Sequence, residues 1–104
     1  MPIPPYKAPK SRSYDIVIVG GAVVGSSTAY WLSQKLGRDA SVLVVERDSS
    51  YEFSSTALST SAIRQQYSNP INVKISQCGI EFIRDFTTRM APFFPNEAAP
   101  DLGF

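Results

Sequence analysis

A glycine-rich turn is the segment of the sequence best suited to chemistry. Gly20 and Gly21 end a short apolar run, and Gly25 follows shortly after them. Gly20 lets the chain leave the strand sharply, and Gly25 lets the following helix pack closely against that strand. The backbone N–H groups at the start of the helix attract anions. The spacing fits the Gly-x-Gly-x-x-Gly string of dinucleotide-binding loops, except that Ala22 stands at the second glycine. The pattern predicts a pyrophosphate site formed by Gly20, Gly21, Ala22, Val23, Val24 and Gly25.

An acidic residue follows at the position where such a unit contacts a ribose. Glu46 ends a second apolar run, and Arg47 comes directly after it. A carboxylate at the end of the second strand accepts hydrogen bonds from ribose hydroxyls. The same carboxylate repels a 2′-phosphate. Glu46 therefore favours an adenine dinucleotide that carries no 2′-phosphate.

The apolar pattern predicts the elements that would position these residues. Residues 15–19 and 41–46 are β-branched runs, apolar on both faces, as in strands of a parallel sheet. Residues 26–36 repeat apolar side chains at helical spacing, and Gly37 stands where a helix C-cap belongs. The order strand, turn, helix, strand predicts an α/β fold. We interpret it as the N-terminal βαβ part of a Rossmann-like FAD/NAD(P)-binding domain.

The rest of the chain predicts three segments. Residues 1–13 are rich in proline and are expected to form a flexible N-terminal arm. Residues 14–90 are expected to form the partial cofactor domain, in which a Ser/Thr-rich loop with one helical turn near residues 56–62 precedes an amphipathic helix that ends near residue 89. Cys78 falls on the apolar stripe of that helix and is expected in the core. Residues 91–104 are expected to form a proline-rich loop tail.

Composition excludes several classes of function. The chain has 104 residues, a net charge of +1, one cysteine and no histidine. One cysteine allows no internal disulfide, and without histidine we expect no metal site. The sequence has no long basic run, so its charge does not point to nucleic-acid binding. It also has no apolar run long enough to span a membrane. No secretory signal is visible, so we expect a cytoplasmic protein, with the mitochondrial matrix as the alternative in a eukaryote.

The two predicted strands do not account for a complete sheet. Parallel strands that are apolar on both faces need more strands and a second layer of helices. The first strand of a doubly wound sheet has a neighbour on each side, and the sequence supplies one neighbour. We therefore expect an incomplete domain: a fragment, a truncated reading frame, or one piece of a larger assembly. The expected partner is the remainder of the enzyme or another subunit.

Three stretches resemble a known superfamily: DIVIVGGAVVGSSTAYWL, VLVVERD and STALSTSAIRQQYSNP. They are similar to the D-amino-acid oxidase/sarcosine oxidase superfamily of FAD-dependent oxidoreductases. Within that superfamily they most resemble the FAD-dependent oxidoreductase-domain proteins, some of which are linked to complex I assembly. The resemblance covers roughly residues 15–90, the N-terminal part of such a protein. It implies FAD as the cofactor.

The resemblance also implies roles for individual residues. Glu46 would bind the adenosine ribose, and Arg47 would lie against the adenine or its phosphate side. A hydroxyl-rich segment would follow the cofactor, first along the pyrophosphate and then beside the isoalloxazine ring: Ser55 and Thr56, then Ser59, Thr60 and Ser61. Arg64 matches an arginine that binds the substrate carboxylate, a task suited to a guanidinium fork.

The function implied by the resemblance is oxidation of the CH–NH bond of an amino acid or an N-methyl amine such as sarcosine. The chain lacks the later sequence with which the family builds its substrate site, so we expect no turnover from the chain alone. A second interpretation is a non-catalytic FAD-binding or assembly module. An NAD-dependent dehydrogenase built on the same βαβ unit is a third and is less favoured, because of the segment after Glu46.

Overall fold

The computed structural model describes residues 8–102 of the chain. The strands and helices follow in this order: β1 (Ile16–Val19), α1 (Val23–Leu36), β2 (Val42–Val45), α2 (Ser55–Leu58), α3 (Pro70–Arg84), α4 (Phe86–Met90) and a 3-10 turn (Ala91–Phe93). The chain divides into two compact units between Ser61 and Ala62. Residues 1–7 of the predicted arm lie outside the described part, and the domain limits at residues 13 and 90 stay predictions.

The first unit is the predicted βαβ unit. Strands β1 and β2 pair in parallel, with Ile16 opposite Val42 and Val19 opposite Val45. The α1 crossover lies between them in sequence, so the α/β fold class and its N-terminal Rossmann-like character are confirmed. The pairing extends beyond β1, because the Gly20 N–H donates to the Val45 carbonyl oxygen at 2.7 Å. The glycine turn is therefore fixed directly to the end of the sheet.

Helix α1 begins at Val23, earlier than the predicted residue 26, so the last glycine of the turn lies inside the helix. The apolar repeat of residues 26–36 marks only the later turns of the helix. The first turn overlaps the glycine pattern, which by itself predicts a turn and not a helix. The helix ends at Leu36 as expected. Gly37 follows with a φ of +56° and donates its N–H to the Ser33 carbonyl oxygen at 2.9 Å.

One face of the sheet is uncovered. Among residues 8–102 no hydrophobic side chain is fully buried. Val17 and Val19, which alternate with the half-buried Ile16 and Ile18, are 54% and 87% exposed. Apolar strands of a parallel sheet are normally covered on both faces. The exposure agrees with a unit that carries one of the two layers its strands require.

The second unit is helical. Asn69 caps α3, its side-chain oxygen accepting from the Ile71 N–H at 3.1 Å, and Pro70 occupies the first turn. The single helix expected to about residue 89 is interrupted at Asp85, where φ is −97° and ψ is 7°. Cys78 is exposed, so its expected place in a core is wrong. Within residues 8–102, no helix combines the length and apolar character needed to cross a bilayer.

A side-chain clasp joins the starts of the two strands. The Ser41 N–H and hydroxyl donate to Asp15 Oδ2 at 2.8 and 3.0 Å, and the Asp15 N–H donates to Ser41 Oγ at 3.0 Å. The Ile16 N–H adds a bond to the Ser41 carbonyl oxygen at 3.0 Å. The hydrogen bonds from Ser41, backbone first, hold the pKa of Asp15 below its usual value. The clasp fixes the strand register at the end opposite the glycine turn.

We expect Asp15→Asn to lower the melting temperature at neutral pH. The pKa of Asp15 is depressed in the folded state, so its contribution is complete above the ordinary aspartate pKa of about 3.9. It is lost as the pH falls through the lower folded value. The variant and the unsubstituted chain should therefore converge in acid when thermal melts are compared across pH. An Asp39→Asn control should change little, and an equal effect of both substitutions would contradict the clasp.

Candidate functional site

The glycine turn has a backbone that requires glycine at its first position. Gly20 has a φ of +103°, a region that other residues rarely adopt. Helix α1 then begins at Val23, and its N-cap residue, Ala22, makes no side-chain capping bond. The N–H groups of a first helical turn have no acceptor within their own helix. The turn thus presents backbone donors, together with the positive end of a 14-residue helix, at the end of the sheet.

Gly25 is required by the packing of α1 against this turn. A Cβ atom added at Gly25 would overlap the Gly20 carbonyl oxygen and lie 2.8 Å from the Gly20 carbonyl carbon. The same atom would lie 3.4 Å from Ile18 Cγ2. The Gly20 carbonyl group is part of the backbone that connects β1 to α1, so it cannot move aside without disturbing that connection. The expected role of Gly25 in close helix–strand packing is therefore what the geometry shows.

A cavity of about 300 Å³ opens beside the turn. Its wall is shared by the end of β1, the glycine turn, α1 and the start of α2: Ile18, Val19, Gly20, Ala22, Val24, Gly25, Thr28, Ser55 and Thr56. Ser54 caps α2 by accepting from the Ala57 N–H at 3.1 Å. The Val23 N–H, the first of α1, donates to Thr56 Oγ1 at 3.4 Å. The structure therefore brings two residues of the predicted hydroxyl-rich segment to the glycine turn.

The Glu46 carboxylate accepts a hydrogen bond from the glycine turn. Its Oε2 accepts from the Gly21 N–H at 2.7 Å, and its Oε1 accepts from the Asp48 N–H at 3.1 Å. These bonds, with that from Gly21 the larger influence, hold the pKa of Glu46 below its usual value. Gly21 is buried, although Glu46 is only half-buried. Glu46 is therefore an anionic acceptor that also fixes the conformation of the glycine turn.

A second cavity of about 240 Å³ adjoins Glu46. It is lined by Glu46, Arg47, Asp48, Tyr51, Phe53 and Ser54. Glu46 and Arg47 were expected at the cofactor, whereas the two aromatic residues were missed. The available signal was a pair of aromatic residues, Tyr51 and Phe53, within a polar segment that directly follows an acidic strand end. Such rings offer flat apolar surface without a strand or helix pattern to mark them.

Comparison with known families decides what class of protein this geometry belongs to. Residues 15–98 match the family of FAD dependent oxidoreductases known as DAO. The chain belongs to this family. The match begins at β1 and includes the glycine turn, Glu46 and both helices of the second unit. FAD is therefore the cofactor. The structure fits this group, because Gly20 has a positive φ, Gly25 packs closely and a cavity opens beside them.

Known relatives of the chain are described as FAD-dependent oxidoreductase domain-containing proteins. The chain is 42% identical to FAD-dependent oxidoreductase domain-containing protein 1 of Xenopus laevis, over 98% of the chain and 19% of that protein. It is 49% identical to the Bos taurus protein over 80% of the chain and 17% of that protein. The Drosophila melanogaster homolog is 37% identical, over 83% and 17%. The chain thus spans about a fifth or less of these relatives, and no solved structure matches it.

Ser59, Thr60 and Ser61 do not line either of the two cavities. The Ser59 hydroxyl donates to the Thr56 carbonyl oxygen at 2.8 Å and accepts from the Ser61 N–H at 3.2 Å. Ser61 has a φ of +53°, and Thr60, between these two serines, is exposed. Arg64 is exposed and belongs to the second unit. The roles of these four residues at the flavin and substrate stay predictions. Within residues 8–102, no three metal-ligating side chains form a cluster.

Ala22 allows a direct test of the glycine turn. We expect Ala22→Gly to keep or tighten FAD binding, because it removes a methyl group from the cavity wall where the backbone approaches the phosphates. The Ala22 φ of −73° suits either residue. Ala22→Val should weaken binding by placing more bulk in the same wall. FAD titration followed by flavin fluorescence measures both effects. A clear loss of FAD from Ala22→Gly would mean that the turn does not hold the pyrophosphate.

Proposed function

We propose that the chain supplies the cofactor-binding part of an oxidoreductase that oxidises the CH–NH bond of an amino acid or an N-methyl amine such as sarcosine. The observation that carries the cofactor-binding part of this proposal is the wall shared by the glycine turn with Ser55 and Thr56, beside a carboxylate bonded to that same turn. A dinucleotide needs backbone donors for its pyrophosphate and an acceptor for its ribose. Both are present within one βαβ unit of an FAD-dependent family.

In this proposal the pyrophosphate occupies the cavity of about 300 Å³. Apart from the Val23 N–H, which bonds Thr56 Oγ1, the N–H groups of the first turn of α1 donate to its oxygens, and the helix dipole stabilises its negative charge. Ser55 and Thr56 add hydroxyl groups from the opposite wall. Thr56 Oγ1 already accepts from the Val23 N–H, so its own proton is available for a phosphate oxygen. No side-chain cation is required, because backbone N–H groups and hydroxyls bind the anion.

The adenosine end of the cofactor lies toward the cavity of about 240 Å³. Each Glu46 oxygen accepts one backbone N–H and has a second lone pair that can accept a ribose hydroxyl. Arg47 lines the same cavity and would contact the adenine or its phosphate side. The depressed pKa of Glu46 keeps the acceptor ionised in neutral solution.

The flavin end extends toward the substrate. Bound FAD would supply a hydride acceptor for the substrate carbon beside nitrogen. Ser59, Thr60 and Ser61 would run beside the isoalloxazine ring, and Arg64 would orient the substrate through its carboxylate. A guanidinium fork holds a carboxylate in one orientation, so it would direct the C–H bond toward the flavin.

Substitution of Arg64 tests the substrate class. We expect Arg64→Gln to raise KM for a carboxylate substrate by about tenfold or more, because a bond to a charged group is lost. Flavin content should stay nearly unchanged. Arg84→Gln, at an exposed arginine on α3, is the matched control and should leave KM unchanged. Steady-state kinetics of the complete enzyme with sarcosine and amino acids measure the effect. An unaltered KM for Arg64→Gln would remove Arg64 from the substrate site.

The decisive experiment for the function uses protein isolated from its natural source with any polypeptide that accompanies it. We expect stoichiometric yellow flavin that bleaches when an amino acid or N-methyl amine is added without oxygen. Flavin that is bound but that none of these amines reduces would contradict the oxidase chemistry. It would favour a non-catalytic FAD-binding or assembly module, a function supported by the exposed apolar face of the sheet, which is suited to contact with another polypeptide.

A further inference from the structure

Tyr51 has a backbone conformation that a bulky residue rarely adopts. Its φ is +58°, in the left-handed region that favours glycine. A tight turn holds it there, since the Tyr51 N–H donates to the Asp48 carbonyl oxygen at 3.1 Å. The Tyr51 carbonyl oxygen accepts from the Ser54 N–H at 3.0 Å. Unfavourable backbone conformations persist where the surrounding structure requires the side chain to point in one direction.

The Tyr51 side chain points at the glycine turn. A Cβ atom built on Gly21 would lie 3.3 Å from the Tyr51 hydroxyl oxygen, 3.4 Å from Val44 Cγ1 and 3.5 Å from Glu46 Cβ. Three side chains therefore enclose Gly21, which explains why this residue is buried. The enclosed Gly21 N–H is the group that bonds Glu46 Oε2 at 2.7 Å. The same tyrosine lines the cavity next to Glu46.

We propose that Tyr51 is a positioning residue: the hydroxyl end of its side chain holds the Gly21 peptide against Glu46 and so prepares both for the adenosine end of the cofactor. This inference rests on the proposed function, because it assigns a further residue to the same FAD site. The side chain acts by contact and by keeping water from the Gly21–Glu46 hydrogen bond, which strengthens that bond. Tyr51 touches the reacting part of neither flavin nor substrate in this role.

Two variants separate this role from a contribution to stability. Tyr51→Gly removes the ring and also relieves the left-handed backbone, so the melting temperature of the FAD-free chain should stay level or rise. Its Kd for FAD should nevertheless rise about tenfold, because the Gly21–Glu46 bond is no longer held. Tyr51→Phe keeps the ring but removes the hydroxyl oxygen that lies nearest to Gly21, so its Kd should rise less than that of Tyr51→Gly, with a melting temperature near that of the unsubstituted chain.

The experiment is an FAD titration and a thermal melt of the purified full chain and its variants. Glu52→Gly, next to Tyr51 and outside the cavity wall, is the control for adding a glycine to this loop and should leave the Kd unchanged. Opposite changes in stability and affinity for Tyr51→Gly, with a smaller loss of affinity in Tyr51→Phe, support the proposal. An unchanged Kd for Tyr51→Gly, or equal losses from Glu52→Gly, overturns it while leaving the FAD site intact. Failure of the unsubstituted chain to bind FAD overturns both.

Discussion

Replacing Gly25 with alanine should abolish FAD binding and lower the free energy of unfolding by about 3 kcal/mol or more. The added methyl group would overlap the Gly20 carbonyl oxygen, so α1 must move away from the end of β1. That movement withdraws the first turn of α1 from the cavity it shares with Ser55 and Thr56. Urea unfolding and the flavin content of the purified protein measure the two effects.

Gly79 provides a matched control for this substitution. It also lies inside a helix, α3, but a Cβ atom added there meets no atom within 4 Å. Gly79→Ala should therefore raise the free energy of unfolding by about 0.5–1 kcal/mol, because alanine loses less backbone entropy in a helix. Its flavin content should not change. If Gly25→Ala behaved like Gly79→Ala, the close packing between α1 and β1 would not be what holds the site together.

The second large effect is expected for Glu46→Gln, which should weaken FAD binding by about tenfold or more. The amide replaces one carboxylate oxygen with an NH₂ group, so one of the two backbone N–H groups, of Gly21 or Asp48, loses its acceptor. The substitution also removes the charge that accepts the ribose hydroxyls. An FAD titration of the variant measures the loss. Glu52→Gln, an exposed acid in the same loop, should leave affinity unchanged, and equal losses in both would contradict a specific role of Glu46.

The same carboxylate predicts how stability depends on pH. The folded pKa of Glu46 is depressed, chiefly by the Gly21 hydrogen bond. Its contribution is therefore complete above the ordinary glutamate pKa of about 4.3 and is lost as the pH falls through the lower folded value. In Glu46→Gln this part of the acid dependence should disappear. Melting temperatures of both proteins between neutral and acid pH provide the measurement.

Much of the first unit could be predicted from the sequence because its signals are local. Two β-branched runs on either side of a glycine turn specify a parallel pair, and the structure has that pair in register from Ile16–Val42 to Val19–Val45. Gly20 and Gly25 were expected for a sharp turn and for close packing, and the backbone and the space around them require both. These features depend on backbone geometry that few other residues can adopt.

The parts that could not be predicted depend on contacts between segments. The helix is interrupted at Asp85, but the apolar repeat of the sequence continues past this residue. Periodicity alone therefore does not reveal the interruption. Cys78 lies on that repeat yet is exposed. An apolar stripe predicts that one face of a helix is covered, but it does not show which segment covers that face. Tyr51 reaches Gly21 through a turn in which Tyr51 itself has a positive φ. The sequence does not mark such a turn, because no glycine stands at that position.

The central claim, that FAD binds at the glycine turn, is tested most directly by a ¹⁵N–¹H NMR titration of the chain with FAD. We predict that the largest amide shifts fall on Gly20–Gly25, on Ser55 and Thr56, and on the residues around Glu46, because these surround the two cavities. Residues of α3 serve as an internal reference and should shift little. An absence of shifts at saturating FAD, or shifts confined to residues outside the two cavities, would contradict the account.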